Sequence, residues 1–445
     1  MGYGLGVDLG TTFTAAAVER DGRVEMVTLG DRTAAVPSVV LLRADGSVLS
    51  GDAADRRAVS EPDRVAREVK RRLGDPMPVI LGGAPVPVQE LMAMQLRDVV
   101  RAVAEREGGE PDTVTLTHPA NWGPYKRELF GQIPALAGLD RVRMLTEPEA
   151  AAAHYASTER VPDGALVAVY DLGGGTFDAT VLRVGTGDFE IFGTPEGIEG
   201  LGGIDFDEAV FAHVDRVLDG AASALDPSDL RATSAAIRLR QECVLAKEAL
   251  SADTETTIPV LLPAVQTEVR LTRGEFEDMI RPSVVATVDS MRRALRSAGV
   301  TPAELQTVLL VGGSSRIPAV ARTVAAELGR PTSVDAHPKH AIALGAAAVS
   351  ARSAPSTAAA PEEEPVGVPG AAGARDAGSC RTGDVPGDDT PTPPHGVRAV
   401  PPVPAAATVA AAVPAGPEAT LPATVASGTG ASAAGTPAPS LSPPA

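Results

Sequence analysis

Two stretches of the chain carry the same alternation of apolar strand, glycine-rich turn and apolar strand: LGVDLGTTFTAAAV at 5–18 and VYDLGGGTFDATVL at 169–182. Short runs of Val, Leu, Ala and Thr broken by a glycine turn are strand and hairpin signals. Asp171 follows Asp8 by 163 residues and stands at the same place in its hairpin, which predicts a duplicated half. The second half continues with a helix over 205–218, a long helix near 227–250, strands around 256–271 and a helix from Thr272 to Ala298. A strand TVLLVGG at 307–313 then feeds a helix, SRIPAVARTVAAEL. Strands alternating with helices in two similar copies predict an α/β architecture of two lobes with a cleft between them.

The pattern stops near residue 351. Residues 352–445 hold 18 of the 39 prolines, no Ile, Phe, Tyr or Trp, and only Leu421 and Leu441 among leucines. Such a composition cannot bury enough apolar surface to offset about 1–2 kcal/mol of backbone entropy per ordered residue. A disordered, partly polyproline-like tail is therefore expected over 351–445, and the core and the chemistry belong to residues 1–350.

Charge and cysteine content narrow the function classes. With 39 basic and 57 acidic side chains the formal net charge is −18, which argues against a protein that wraps duplex nucleic acid through a basic face. Cys243 and Cys380 cannot staple a secreted fold or complete a four-ligand zinc site. The opening MGYGLGVDLG shows no charged leader followed by an apolar core, and the alanine-valine run 405–413 falls far short of the ~20 apolar residues of a membrane helix. A cytoplasmic monomer with no membrane or nucleic-acid partner is expected.

The turns of the two hairpins carry the candidate chemistry. Glycine lets backbone N–H groups approach a phosphate, and an aspartate closing the preceding strand supplies a hard oxygen for Mg²⁺. Asp8, Gly10, Thr11 and Thr12 form one such set; Asp171, Gly173, Gly174, Gly175, Thr176 and Asp178 form the other. A single DLGT reads more readily as a tight hairpin turn with a capping aspartate. Two copies in equivalent halves favour opposed phosphate loops with paired carboxylates.

At these motifs the sequence resembles the ATPase domain of the Hsp70 (DnaK) chaperones, a member of the actin-like ATPase fold with duplicated ribonuclease-H-like halves. VDLGTT is similar to the family's first phosphate loop, VYDLGGGTFD to its second, and LLVGGSSRIPAV at 309–320 to its adenosine motif. HPANWGPYKRELF with MLTEPEAAAAHYA resembles the first segment connecting the lobes, and AIALGAAAVSA the second. The resemblance implies lobe I over about 1–165 plus a closing helix near 338–350, and lobe II over about 166–337. It also implies ATP or ADP with Mg²⁺ as ligands and slow ATP hydrolysis in a chaperone-related or regulatory role. By the same resemblance Asp8 and Asp171 hold the hydrated metal, Lys70 reaches the γ-phosphate, and Glu147 and Asp178 position the attacking water with Thr176 beside the γ-phosphate. Gly312, Gly313, Ser314 and Arg316 form the adenine and ribose shelf, Gly202 and Gly203 a further backbone approach, and Lys247 and Ser251 touch ribose and adenine.

The departures fall on the adenosine side. Glu248 stands where many members carry a stacking Arg, Val244 replaces a glutamate one turn earlier, and Lys339 replaces an aspartate. Ala35 replaces a threonine, Thr146 an asparagine, and HPANWG differs from the usual VPAYF, which places the chain in a divergent branch. A β-sandwich that grips peptide needs roughly seven alternating strands, and 352–445 offers none, so ATP-switched peptide binding of the usual kind is not expected. A small-molecule kinase and an actin-like filament protein are the alternatives. A protein partner acting through the lobes or the tail is expected, and its identity is not written in the motifs.

Overall fold

The computed structural model describes residues 2–351 apart from 31–32, 186–187, 335–336 and 338–339. The tail beyond Ala351 and the departure at Lys339 lie outside the described residues.

Each hairpin seeds a sheet, and the two sheets have the same strand order. The first runs Val142–Thr146, Thr113–His118, Gly4–Leu9, Phe13–Arg20, Arg23–Met26, with Ala35–Pro37 also pairing to Phe13–Arg20. The second runs Thr332–Val334, Leu305–Val311, Leu166–Leu172, Thr176–Val184, Phe189–Ile191, with Glu196–Glu199 pairing to Thr176–Val184. Parallel and antiparallel neighbours match as well: Gly4–Leu9 lies parallel to Thr113–His118 and antiparallel to its hairpin partner, as Leu166–Leu172 does with Leu305–Val311 and Thr176–Val184. In the first hairpin Asp8 pairs with Ala15, and in the second Asp171 pairs with Asp178. The duplicated framework thus carries its second carboxylate in one half only.

Each sheet has its own core. Leu5, Val7, Leu91, Leu96 and Phe130 are buried in the first, and Tyr170, Phe177, Phe206 and Phe276 in the second. The helix Val88–Glu107 buries Leu91, Leu96, Val99, Val100 and Val103, a helical-period stripe against the first sheet. The expected helix over 272–298 is Arg273–Ser297, because Thr272 accepts the Glu275 N–H and Glu275 reaches back to the Thr272 N–H, a capping box that places Thr272 outside. The long helix is Leu230–Ala249, with the Asp229 side chain accepting from Arg231 N–H in place of the expected start near 227. The strand expected over 307–313 ends at Val311, since Gly312 turns left-handed at φ +84°.

The helices Glu147–Thr158 and Ala341–Ala351 lie against each other with almost no side-chain spacing. A Cβ on Gly345 would stand 1.8 Å from the carbonyl oxygen of Ala150, and one on Gly6 would stand 2.2 Å from Ala347 N. Ala150, Ala151, Ala152 and Ala153 on one helix and Ala343, Ala346 and Ala347 on the other are buried. Small residues here replace interdigitation by close backbone approach, and the Thr115 and Ser350 hydroxyls, 2.6 Å apart, tie the closing helix to the first sheet. No helix among the described residues is long and apolar enough to cross a membrane.

Gly345 gives a test with opposite expectations. Helix propensity alone favours Gly345→Ala by about 1 kcal/mol, whereas forcing apart two packed backbones costs about 1–3 kcal/mol. Thermal unfolding of Gly345→Ala should show a lower melting temperature, and an increase would contradict the close-packed crossing.

Candidate functional site

The two glycine turns face each other across a seam too tight for a side chain at Gly174 or Gly175. A Cβ on Gly174 would fall 1.5 Å from the Thr12 hydroxyl, so the threonine of the first turn occupies the space that glycine leaves in the second. Behind the second turn, Gly203 N–H donates to Gly173 O at 3.0 Å and Ile204 N–H to Gly174 O at 2.8 Å, docking the N-terminus of the helix Gly203–Val217 onto it. Gly312 closes the other side: its φ of +84° and a Cβ position 2.5 Å from Asp171 Oδ1 exclude any side chain. Ser314 donates to Gly173 O at 2.8 Å, tying the 3₁₀ turn Gly313–Arg316 to the same loop. The first turn is held from below by Ser38, whose hydroxyl donates to Gly10 O at 2.7 Å and lies 2.9 Å from the Thr14 hydroxyl.

Lys70, which in the sequence stands among Arg67, Arg71 and Arg72, is not a solvated lysine. It sits on the 3₁₀ turn Val69–Arg72, entered through Glu68 at φ +55°, a left-handed conformation uncommon for a residue with a Cβ. Its Nζ lies 2.6 Å from Glu147 Oε1, with both side chains 8% exposed, and 5.8 Å from the centre of the Trp122 ring. Glu147 is the first residue of the helix Glu147–Thr158, where unpaired N–H groups favour a carboxylate. The departure at Thr146 has a local function: Thr146 and Glu149 form the capping box of that helix.

Asp8, Asp171 and Asp178 converge on the same buried centre. Burial drives the Asp8 carboxyl up to about 7; Lys70 opposes this, Glu147 adds to it, and the Thr117 hydroxyl at 3.4 Å pulls it back. Asp178 is also pushed up to about 7 by burial and by Glu147, against Lys70 and a hydrogen bond from Thr176. Asp171 stands well above the ordinary carboxylate range through burial and the charges of Glu147, Asp178 and Asp8. Burial works against the Lys70 ammonium, yet Glu147 and Asp8 outweigh it and hold the lysine above its usual range.

One ammonium thus faces four carboxylates, and polar atoms are left over: Asp178 Oδ1 and the Thr12 hydroxyl are buried with no hydrogen-bond partner. A hydrated divalent cation fits this charge deficit. Among the described residues no three carboxylate, imidazole or thiolate side chains converge as a cage of their own, so such an ion would complete its shell with water and phosphate oxygens, the preference of Mg²⁺.

The remaining expected residues lie in the second half. Lys247 pairs with Asp207 at 2.8 Å and donates to Gly203 O at 3.2 Å, so its ammonium buttresses the Gly202–Gly203 turn. Arg316 is exposed at the end of its turn, Glu248 is exposed on the long helix, and Ser251 follows that helix with its N–H on Glu248 O. A cavity of about 260 Å³ beside Lys70, Thr11 and Thr176 is lined further by Arg71, Pro119, Trp122, Lys126, Glu199 and Gly200. Trp122 lay inside the HPANWG segment without an assigned role. Lys126 and Glu199 are 73 residues apart and share no local signal.

The profile of the Hsp70 protein family matches residues 4–80 and 77–359. The chain belongs to the Hsp70 family. Its fold is the two-lobed actin-like ATPase fold that the duplicated sheets describe. It is similar to the chaperone protein DnaK of Thermotoga neapolitana, at 33% identity over 355 residues that cover 77% of this chain and 58% of the relative. The chain therefore spans little more than half the length of that Hsp70 relative.

The raised carboxyls have a consequence for stability. Between about pH 4 and pH 7 the folded chain holds protons that the unfolded chain releases, so the ligand-free protein loses stability as pH rises through that window and levels off above it. Asp178→Asn removes one of the repelling charges. Its melting temperature at pH 8 without nucleotide or metal should exceed that of the unaltered protein by a few degrees, with a shallower decline from pH 5 to pH 8. A lower melting temperature at pH 8 would contradict the repulsion.

Proposed function

We propose that residues 1–350 bind ATP with Mg²⁺ and hydrolyse it slowly to ADP and phosphate, with lobe I formed by about 1–165 plus 338–350 and lobe II by about 166–337. The single observation that carries this reading is the convergence of Asp8, Lys70, Glu147, Asp171 and Asp178 at the seam between two opposed phosphate turns. The magnesium ion would be held through its water shell by Asp8 and Asp171 and would supply charge neutralisation at the phosphates. Backbone N–H groups of Gly10, Thr11, Thr12 and of Gly173, Gly174, Gly175 cradle the β- and γ-phosphates. Lys70 reaches the γ-phosphate, Thr176 lies beside it, and Glu147 and Asp178 orient the attacking water. Asp178, held near neutrality by its surroundings, is suited to accept a proton at its orphan oxygen. Phosphoryl transfer depends mainly on such positioning and charge stabilisation, and a preformed set of groups needs no further covalent partner.

Adenosine lies against Gly312, Gly313, Ser314 and Arg316, with Gly202 and Gly203 beside the phosphates and Lys247 and Ser251 towards the ribose and adenine. The nucleotide state is passed to a protein partner, in chaperone assistance or as a regulatory module of the cytoplasm, by a chain that acts as a monomer. DnaK kinship supports this reading.

Two experiments test it. Lys70→Ala should retain nucleotide binding by calorimetry while single-turnover hydrolysis falls to background, and Asp171→Asn should weaken binding of Mg-nucleotide. Transfer of the γ-phosphate to a sugar with no basal hydrolysis would place the protein among small-molecule kinases instead. On the adenosine side, Glu248→Arg should restore a planar cation over the base and tighten ADP by up to about tenfold, the equivalent of about 1.4 kcal/mol. An unchanged or raised ADP dissociation constant would show that the base is held without the long helix.

A further inference from the structure

The cavity beside Lys70 has walls from both halves of the fold. The first half contributes Thr11, Lys70, Arg71, Trp122 and Lys126; Thr176 and Glu199 come from the second. Two ion pairs cross between the halves at this cavity. Lys126, on the helix Pro124–Gly131, pairs with Glu199 at the end of the strand Glu196–Glu199. Arg71 stands 3.8 Å from Asp205, on the helix Gly203–Val217, and 3.2 Å from Glu68. The Lys126 side chain is 25% exposed and that of Glu199 is 69% exposed, so this pair lies at the cavity's outer rim, whereas Lys70, 8% exposed, lies at its inner end.

We propose that this cavity is the route by which inorganic phosphate leaves after cleavage, and that Lys126–Glu199 is the latch across its mouth. The inference rests on the ATPase reading above, which puts the γ-phosphate at Lys70, Thr11 and Thr176, the groups at the inner end. The chemistry of the walls suits a doubly charged tetrahedral anion. Lys70, Arg71 and Lys126 form a succession of cations from the buried end to the rim, and Glu199 is the one carboxylate among the lining residues. A phosphate moving outward competes with Glu199 for Lys126. Each exchange of partner removes the ion pair that joins the two halves at the rim, so the departing anion itself loosens the closure. Trp122, stacked on His118 with ring centroids 6.2 Å apart and met edge-on by Phe130, is the aromatic face of the cavity.

The latch is largely exposed, so it is weak and sensitive to salt, and that makes it testable. Cleavage and phosphate release are measured separately in one turnover of the full chain, by quenched-flow analysis of ADP and by a fluorescent phosphate-binding reporter. In Glu199→Gln, release should accelerate relative to cleavage by about two- to fivefold, the scale set by an exposed ion pair. Lys126→Met should accelerate it similarly, and the double variant should add nothing to either single change. Raising ionic strength should speed release from the unaltered protein and lose most of that effect in Glu199→Gln. Release that keeps its ratio to cleavage in both single variants would overturn the route and its latch. Absence of cleavage in the unaltered protein would instead overturn the ATPase reading, and the exit with it.

Discussion

The buried pairing of Lys70 with Glu147 is the interaction around which the rest of the molecule is arranged. An ammonium and a carboxylate removed from water are costly unless each is held in close geometry and given further partners. Here the lysine is delivered by a 3₁₀ turn with a left-handed residue before it, and the glutamate by a capped helix start, so both are fixed by the backbone. Asp8, Asp171 and Asp178 then surround the pair with more negative charge than it can neutralise. The protein stores an unfavourable arrangement whose relief requires positive charge from outside.

The symmetry of the scaffold makes this asymmetry possible. Both halves use the same sheet order and the same strand-turn-strand entry, yet at matching positions the first hairpin carries Thr11, Thr12 and Ala15 where the second carries Gly174, Gly175 and Asp178. The side chains of one turn fill the space left by the glycines of the other, which brings the two backbones into close contact. The lone Asp178 places the unmatched carboxyl on one side of the seam. A strictly symmetric duplicate would repel itself across the seam with a fourth aspartate.

Behind the seam, the helices Glu147–Thr158 and Ala341–Ala351 cross with alanines and Gly345 at the contact. The first of these helices begins with Glu147, so the crossing and the charged centre are parts of one rigid element. Close backbone packing resists separation at this contact. Ion pairs at the rim, such as Lys126–Glu199, are of the opposite kind: long, exposed side chains that break and re-form at little cost.

Local chemistry made much of this legible before any coordinates. Glycine turns, leading aspartates and alternating apolar strands have short-range physical requirements, so the two hairpins, their duplication and the two glycine turns with their aspartates could be read from the chain itself. Family resemblance added Lys70 and Glu147; by its sequence neighbours alone Lys70 reads as a solvated lysine among Arg67, Arg71 and Arg72. Three things depended on contacts between distant segments. Lys70 is buried because Glu147, 77 positions away, meets it; Lys247 is occupied by Asp207 and the Gly203 carbonyl; and Trp122, Lys126, Glu199 and Arg71 become one cavity only when both halves are folded. Periodicity and turn chemistry act over a few residues, whereas desolvation and charge pairing act through space. The chain's pattern therefore determines its strands, turns and lobes, and the three-dimensional approach of those lobes determines which charged groups are forced together and which are left exposed.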